Sequence, residues 1–150
     1  MIHIKNTQRA IAIDRAQIEK DVTKILQLLK YPDFDIGIWF TTEKTIRTYN
    51  KTYRNKDKAT DILSFPVYPD LKAGERIHAC CDDDANLGDL ILCPIYIFND
   101  APNWNHTFEE RIRVLLVHGI CHLLGYDHIK DEDYVIMNRK EKAILKKLNQ

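Results

Sequence analysis

The fold and the chemistry of this chain both centre on VLLVHGICHLLGYDH, residues 114–128. Its first eleven positions are apolar almost throughout, which is typical of a helix buried on most sides in the middle of a domain. His118 and His122 are four residues apart, so on a helix they differ by only about 40° around the axis. Two imidazoles on one helix face can reach the same metal ion.

A third histidine follows this helix. His128 lies ten residues beyond His118, and a helix continued that far would carry it away from the pair. Gly125 stands between them, and glycine readily adopts the left-handed conformation that ends a helix. The chain can then turn and bring His128 back over His118 and His122. The pattern H-x-x-x-H-x-x-G-x-x-H therefore predicts a zincin-like metal site with three imidazole ligands.

Structural histidines are the alternative interpretation, but unpartnered imidazoles inside an apolar helix would be costly to bury, and a metal removes that cost. Three nitrogen ligands leave a position open for water or substrate, which indicates a catalytic rather than a structural site. One zinc ion per chain suits the three imidazoles, although nickel or copper also bind them. Cys121 is disfavoured as a fourth ligand, because the helix turns it about 60° from His118. Asp127 either orients His128 or caps the turn.

The residue after the first histidine is Gly119. Zinc proteases with the H-E-x-x-H motif carry their general base, a glutamate, at this position, so a protease of that kind is disfavoured. A metal with an open position can still polarise a phosphoryl oxygen and lower the pKa of bound water toward about 7. We expect the missing side chain to leave room for a bulky substrate beside the ion.

Strand and helix patterns alternate on both sides of this central helix. Alternating or apolar runs predict strands at 2–5, 35–40, 61–65 and 86–93. Helix starts are predicted at Asp14, Thr41 or Thr42, Pro94, Thr107 with Glu110 as a capping box, and Asp131. Residues 66–86 are predicted to form a long loop, and the last helix should turn Tyr134, Met137, Ile144, Leu145 and Leu148 toward the body. The order predicts an α+β fold, a single domain over 1–150 in which helices pack against a mixed sheet of about four strands.

Composition limits the possible partners. Hydrophobic residues make up 45% and charged residues 29%, which is usual for a globular protein. No apolar run approaches the roughly 18 residues of a membrane span, and MIHIKNTQRA does not resemble a signal peptide. A cytoplasmic location with reduced cysteines and no membrane partner is therefore expected. The 22 Lys+Arg balance 22 Asp+Glu, so any nucleic acid must be met by a local basic patch.

Such a patch lies at residues 43–58. Only Glu43 and Asp57 offset its basic side chains, which are Lys44, Arg47, Lys51, Arg54, Lys56 and Lys58. Tyr49 and Tyr53 lie in the same segment and could stack on bases or pack against the body. The patch is consistent with RNA binding, and a solvated helix face is the alternative explanation.

Three stretches of the chain resemble the YbeY family of bacterial endoribonucleases, the rRNA maturation factors. They are VHGICHLLGYDH (117–128), NKTYRNKDKATDILSFP (50–66) and LGDLILC (87–93), and Met137 and Glu141 also stand where family members carry such residues. The resemblance covers nearly the whole chain in order. Ala59 departs from it where many relatives have proline, and the 66–86 loop is particular to this chain.

The resemblance implies a zinc-dependent endoribonuclease that prefers single strands and acts in 16S rRNA 3′-end maturation and ribosome quality control. Its partners would be an rRNA precursor and the small ribosomal subunit. The zinc ligands carry over to His118, His122 and His128, and a functional arginine carries over to Arg54. A guanidinium fork suits phosphate, so Arg54 is an expected catalytic residue together with His118. Arg54, Lys56 and Lys58 are the expected RNA contacts. The alternatives are a zinc hydrolase of peptides or small molecules and a non-catalytic ribosome-associated zinc protein.

Other polar residues have weaker signals. Asp61 and Ser64 either line the cleft or hydrogen-bond within the fold. His78 with Cys80 and Cys81 has loose metal-like spacing. His3 and His106 are expected at the surface.

Overall fold

The computed structural model describes every residue from Met1 to Gln150. Its strands are β1 (Ile2–Asn6), β2 (Asp35–Phe40), β3 (Ile62–Pro66) and β4 (Asn86–Leu92). Its α-helices are α1 (Arg15–Leu28), α2 (Glu43–Arg54), α3 (Pro94–Asp100), α4 (Phe108–Leu123) and α5 (Asp131–Leu148). Short 3-10 turns occupy Asp82–Asp84 and Ala101–Trp104.

The four strands form one mixed sheet in the order β1-β2-β4-β3. Strands β1, β2 and β4 are parallel, and β3 runs antiparallel to β4 as an edge strand. The predicted α+β fold with a four-stranded mixed sheet is therefore confirmed. None of the helices has the length and apolar character that crossing a membrane requires.

The two faces of the sheet are covered differently. Ile36, Ile38 and Phe40 of β2 point into the main core, where apolar residues of α1, α4 and α5 meet the sheet. The alternate side chains of the sheet point to the opposite face, because successive residues of a strand alternate sides. There α2 packs through Ile46 in a small cluster that includes Leu63, and Ile95 and Tyr96 of α3 pack against the same cluster. Helix α4 is thus held between the sheet and the other helices, as its apolar sequence predicts.

Most predicted helix starts are confirmed. Asp14 caps α1, Thr42 rather than Thr41 caps α2, and Thr107 and Glu110 form the reciprocal capping box of α4. The prediction that Asp131 caps α5 is wrong, because Lys130 occupies the cap position and Asp131 is the first helical residue. Its carboxylate still lies in the first turn, where the helix dipole favours negative charge.

Two further predictions need correction. The predicted loop began at Pro66, but Pro66 is the last residue of β3. An edge strand tolerates proline there, because its missing N–H interrupts no hydrogen bond between strands. Tyr134 does not turn into the body: it is 54% exposed, whereas Met137, Ile144 and Leu148 are buried as predicted.

The long loop between β3 and β4 is fastened to the end of α1. Ile77 is buried, and its N–H donates to the Tyr31 hydroxyl at 3.1 Å. The Arg76 guanidinium donates to the backbone carbonyls of Leu29 and Lys30 and lies 4.0 Å above the Tyr31 ring. These contacts bring the loop backbone beside the turn that follows α4.

Candidate metal centre and cleft

One cleft of about 690 Å³ contains all three predicted metal ligands. It opens between β3, α4 and α5, and the metal-centre end of it is formed by His118, His122 and His128. One ring nitrogen from each of these histidines lies within 4.8 Å of the others. The three side chains therefore meet at one point and could hold a single metal ion, as the spacing predicts.

The ring nitrogens of His118 and His122 are oriented by hydrogen bonds. His118 Nδ1 lies 2.7 Å from Glu141 Oε1, and His122 Nδ1 lies 2.9 Å from the carbonyl oxygen of Tyr126. A carboxylate oxygen and a carbonyl oxygen both accept hydrogen bonds, so the tautomer with its proton on Nδ1 satisfies each of them and directs the Nε2 lone pair of each ring outward. This orientation by an outer hydrogen bond is the usual arrangement of metal-binding histidines.

The two Nε2 atoms face each other at 3.1 Å. Two lone pairs at that distance repel unless a proton or a cation lies between them. A tetrahedral zinc ion about 2.0–2.1 Å from each nitrogen would hold them roughly 3.3 Å apart. The observed spacing therefore fits a shared cation.

His122 also has the protonation state that metal binding needs. Burial, together with the neighbouring rings of His118 and His128, lowers the pKa of His122 to about 4. The ring is therefore neutral at physiological pH, and a neutral imidazole is the form that binds a metal.

The turn after α4 places the third ligand. Gly125 has φ +89°, the left-handed conformation predicted for it, and its N–H donates to His122 O at 3.1 Å. Tyr126 N–H then bonds Cys121 O at 3.1 Å, which closes the helix end. The same turn supplies the Tyr126 carbonyl that orients His122. A side chain at Gly125 would meet Leu71 O at 2.2 Å, so the long loop also requires glycine here.

Gly119 does not leave room beside the ion, so that prediction is wrong. Its Cα faces the sheet, and an added Cβ would lie 2.7 Å from Ile62 Cδ1 and 2.9 Å from Leu90 Cδ2. Glycine at this position instead lets α4 pack closely on β3 and β4. A glutamate in the H-E-x-x-H arrangement would collide with the sheet.

The alternative ligands take no part in the centre. Cys121 is buried away from the cleft, and burial, with a smaller effect of Glu141, raises the pKa of its thiol to about 12. Asp127 accepts the backbone N–H of His128 at 2.7 Å, so it caps the turn instead of orienting the ring. Cys80 and Cys81 are exposed and form no metal-binding group with His78.

Of the three predicted RNA contacts, only Arg54 lines this cleft. It lies at the end of α2, where Asn55 ends the helix in the left-handed conformation. Lys56 and Lys58 are exposed in the following turn and lie outside the cleft lining. Asn50 holds that turn by donating its side-chain amide to Lys58 O at 2.9 Å.

Trp104, His106 and Arg111 line the cleft, and the sequence pattern predicted a functional role for none of them. Arg111 is only 7% exposed, with its guanidinium 4.0 Å above the Trp104 ring and 3.6 Å from Asp61 Oδ2. Its Nε, like Nδ1 of His106, is buried without a hydrogen-bond partner. His106 is therefore not the surface residue expected, since it is half-buried and lines the cleft. The sequence carries no signal for this group, because α4, β3 and the turn before α4 bring it together only in the fold.

Asp61 and Ser64 were expected either to line the cleft or to hydrogen-bond within the fold, and both residues do both. Each lines the cleft, while Asp61 Oδ1 accepts the N–H of Ile62 at 2.7 Å and Ser64 Oγ donates to Gly119 O at 3.4 Å. The Ser64 hydrogen bond and the ion pair between Asp61 and Arg111 tie β3 to the helix that carries the histidines.

Comparisons with known proteins agree with this geometry. The family model described as "Endoribonuclease YbeY" matches residues 3–149. A human protein named "Endoribonuclease YbeY" is 39% identical over 145 residues, which are 97% of this chain and 86% of the relative. A Finegoldia magna protein of the same name is 38% identical over 152 residues, covering 99% of this chain and 94% of that one.

A solved structure has the same fold. The solution structure of a Thermotoga maritima protein superposes with a TM-score of 0.64 at 25% identity, and the match covers 99% of this chain and 89% of that one. The family match spans almost every residue, including the three histidines and Arg54. The chain belongs to the YbeY family.

Proposed function

We propose that this protein is a zinc-dependent endoribonuclease that cuts single-stranded regions of an rRNA precursor at the 16S 3′ end, in the context of the small ribosomal subunit. Family membership carries the activity class, an RNA-cleaving hydrolase in rRNA processing. The observation that supports the metal and the site is the convergence of three imidazoles in a cleft that Arg54 also lines.

Zinc in this centre would polarise a phosphoryl oxygen and generate a hydroxide nucleophile or stabilise the developing negative charge. His118, His122 and His128 would hold it. Glu141 and the Tyr126 carbonyl keep the Nε2 atoms of His118 and His122 directed at one point. A three-residue ligand set would leave the metal a position for substrate, and all three histidines line the cleft.

Arg54 would bind the scissile phosphate from the other side of the cleft. Its planar guanidinium can donate two parallel hydrogen bonds to phosphate oxygens and stabilise the extra charge of the transition state. Arg54 is exposed and forms no salt bridge, so no protein carboxylate competes with the phosphate. Arg111, buried beside Trp104 and Asp61, adds a second positive charge to the same cleft.

The geometry disfavours both alternatives. A peptide hydrolase of the H-E-x-x-H type needs a glutamate after the first histidine, and the sheet occupies the space of that side chain at Gly119. A purely structural zinc would be closed by a fourth protein ligand, whereas His128 is exposed and Cys121 is buried elsewhere.

The experiment is a comparison of substrates with a ligand variant. Metal-loaded protein and His118→Ala are each incubated with an rRNA precursor and with an unfolded peptide. We expect cleavage of the RNA only, and its loss in the variant. RNA cleavage that persists in His118→Ala would point to a contaminating ribonuclease and remove the support for the site. Peptide cleavage that depends on His118 would favour the hydrolase alternative.

A further inference from the structure

The sheet face opposite α1, α4 and α5 carries a second opening of about 470 Å³, here called the aromatic groove. Strand register places two rows of side chains across this face. One row is His3, Gly37, Asp89 and Phe65, and the other is Lys5, Trp39, Ile91 and Leu63. Helix α2 packs on the Leu63 end through Ile46, while the first row forms an open floor.

Aromatic rings form the walls of the groove. Tyr49 and Tyr53 stack at 5.9 Å with an interplanar angle of 18°, and Phe65 meets Tyr53 edge-on at 5.3 Å. Trp39 meets Tyr49 edge-on at 5.5 Å. Tyr53 is 64% exposed, so a flat π-surface is presented to solvent. Aromatic side chains on a sheet face are a common platform for unpaired nucleobases, which stack on them regardless of sequence.

The polar groups in the groove complement a base better than a phosphate. The Asp89 carboxylate lies over Gly37, where an added Cβ would be 2.1 Å from Asp89 Oδ1, so only glycine allows this position. A carboxylate repels phosphate but accepts the N–H groups of a base edge. Lys5 Nζ lies 4.7 Å from the centre of the Trp39 ring and can meet the neighbouring backbone phosphate.

The groove and the metal cleft both reach the β3 edge of the sheet, where adjacent residues line one opening and the other. At the end of α2, Tyr53 lines the groove and the adjacent Arg54 lines the cleft. On β3, Phe65 lines the groove and the adjacent Ser64 lines the cleft, because strand side chains alternate faces. A strand bound at Arg54 therefore needs only to pass this edge to reach the aromatic rings. Arg54 belongs to the segment 43–58, which carries an excess of basic residues.

We propose that the aromatic groove binds an unpaired nucleobase of the same RNA strand whose backbone is cut in the metal cleft. This inference rests on the proposed function, because it takes single-stranded RNA as the substrate. The groove would then set how much unpaired RNA must flank the cleavage point, and it would favour single strands because a paired base has no free face to stack on Tyr53 and Trp39. An apolar protein segment is the other possible occupant, and the test separates the two.

The two tryptophans of the chain allow binding at each opening to be followed separately by fluorescence, since Trp39 lines the groove and Trp104 lines the cleft. In the variant Trp104→Phe, Trp39 is the only tryptophan. This metal-loaded variant is mixed with a single-stranded adenine-rich RNA of about 12 nucleotides in a stopped-flow instrument, which records Trp39 emission before turnover. The same mixing is repeated with Tyr53→Ala added and with Phe98→Ala added. Phe98 is the matched control, because it is 52% exposed on α3 and lines neither opening.

We expect RNA to quench Trp39, and Tyr53→Ala to weaken binding at least about five-fold, while Phe98→Ala leaves it unchanged. In protein that retains Trp104, Tyr53→Ala should raise KM for RNA by a similar factor without changing kcat. Unchanged Trp39 emission with RNA, or equal binding by the Tyr53 and Phe98 variants, would overturn the proposal. Quenching by an apolar peptide but not by RNA would also overturn it.

The outcomes distinguish a failure of this inference from a failure of the proposed function. RNA cleavage by the wild type without any Trp39 response removes the groove assignment and leaves the nuclease intact. Tyr53-dependent quenching without cleavage supports the groove and contradicts the nuclease.

Discussion

The two ends of the metal cleft are built in opposite ways. At the metal-centre end, His118 and His122 project from a helix held in the core, and hydrogen bonds to Glu141 and to the Tyr126 carbonyl fix both rings. At the other end, Arg54 sits exposed at the C-terminus of α2 and forms no salt bridge. Its neighbour Arg47 does pair, with Asp57 at 2.8 Å.

This difference indicates a division of tasks. The metal-centre end is organised before substrate arrives, since its geometry follows from the packing of α4 and α5. The arginine end keeps a charge available for the substrate. Substitutions at the first end should therefore change metal affinity, whereas substitutions at the second should change cleavage and leave metal and folding unaffected.

Arg54→Ala gives the largest expected effect that separates the two ends. The cleavage rate should fall by roughly 100-fold or more, the scale seen when one charge-stabilising donor is removed from an active site. Metal content and melting temperature should stay at the wild-type values, because an exposed side chain is lost. Steady-state cleavage, elemental analysis and thermal denaturation measure the three quantities.

Arg47→Ala is the matched control for that experiment, since it removes a guanidinium from the same helix outside the cleft lining. Its ion pair with Asp57 is exposed to solvent and contributes little to stability. Equal loss of cleavage in both variants would mean that general positive charge on α2, and not Arg54 in the cleft, supports the reaction.

Glu141→Ala tests the metal-centre end through its outer hydrogen bond. Metal affinity should fall about 10–100-fold, because His118 loses the acceptor that holds its Nδ1 proton and its ring orientation. Competition with a chromophoric chelator measures this affinity. Glu132→Ala, an exposed acidic residue in the first turn of the same helix, serves as control. Unchanged affinity in Glu141→Ala would show that packing alone orients the ring.

Lys56→Ala and Lys58→Ala should give the smallest effects. Both side chains are exposed outside the cleft lining, so they can contribute to RNA binding only as charges near the backbone. Each substitution should raise KM for RNA a few-fold at low salt. It should also reduce the slope of the logarithm of the RNA-binding constant against the logarithm of salt concentration by the amount that roughly one phosphate contact contributes. Titrations at several salt concentrations measure this slope, and an unchanged slope in both variants would remove the two lysines from the RNA-binding surface.

The sequence was most informative where local chemistry determines geometry. The spacing of His118, His122 and His128 with Gly125 between them predicted the centre, because a helix period and a left-handed turn are local properties. The alternating pattern of the strands likewise predicted the sheet, and the apolar run of residues 114–124 predicted the helix that lies on it.

Contacts between distant segments could not be predicted in this way. Glu141 meets His118 across the packing of α5 on α4, and nothing in the pattern of α5 marks that carboxylate as a partner. Gly119 was misinterpreted for the same reason, since its close neighbours are Ile62 and Leu90 in two strands. The sequence shows that Gly119 has no side chain, and only the fold shows that β3 and β4 pack against it.

Elemental analysis of the purified protein with and without a chelator tests the central claim most directly. We predict one transition-metal ion per chain in the wild type and in Arg54→Ala, and loss of that ion in His118→Ala. Removing the ion from the wild type should lower its melting temperature, because a ligand at about 1,000 times its Kd stabilises the folded state by roughly 4 kcal/mol. Wild-type protein with no stoichiometric metal and an unchanged melting temperature under chelation would contradict the account.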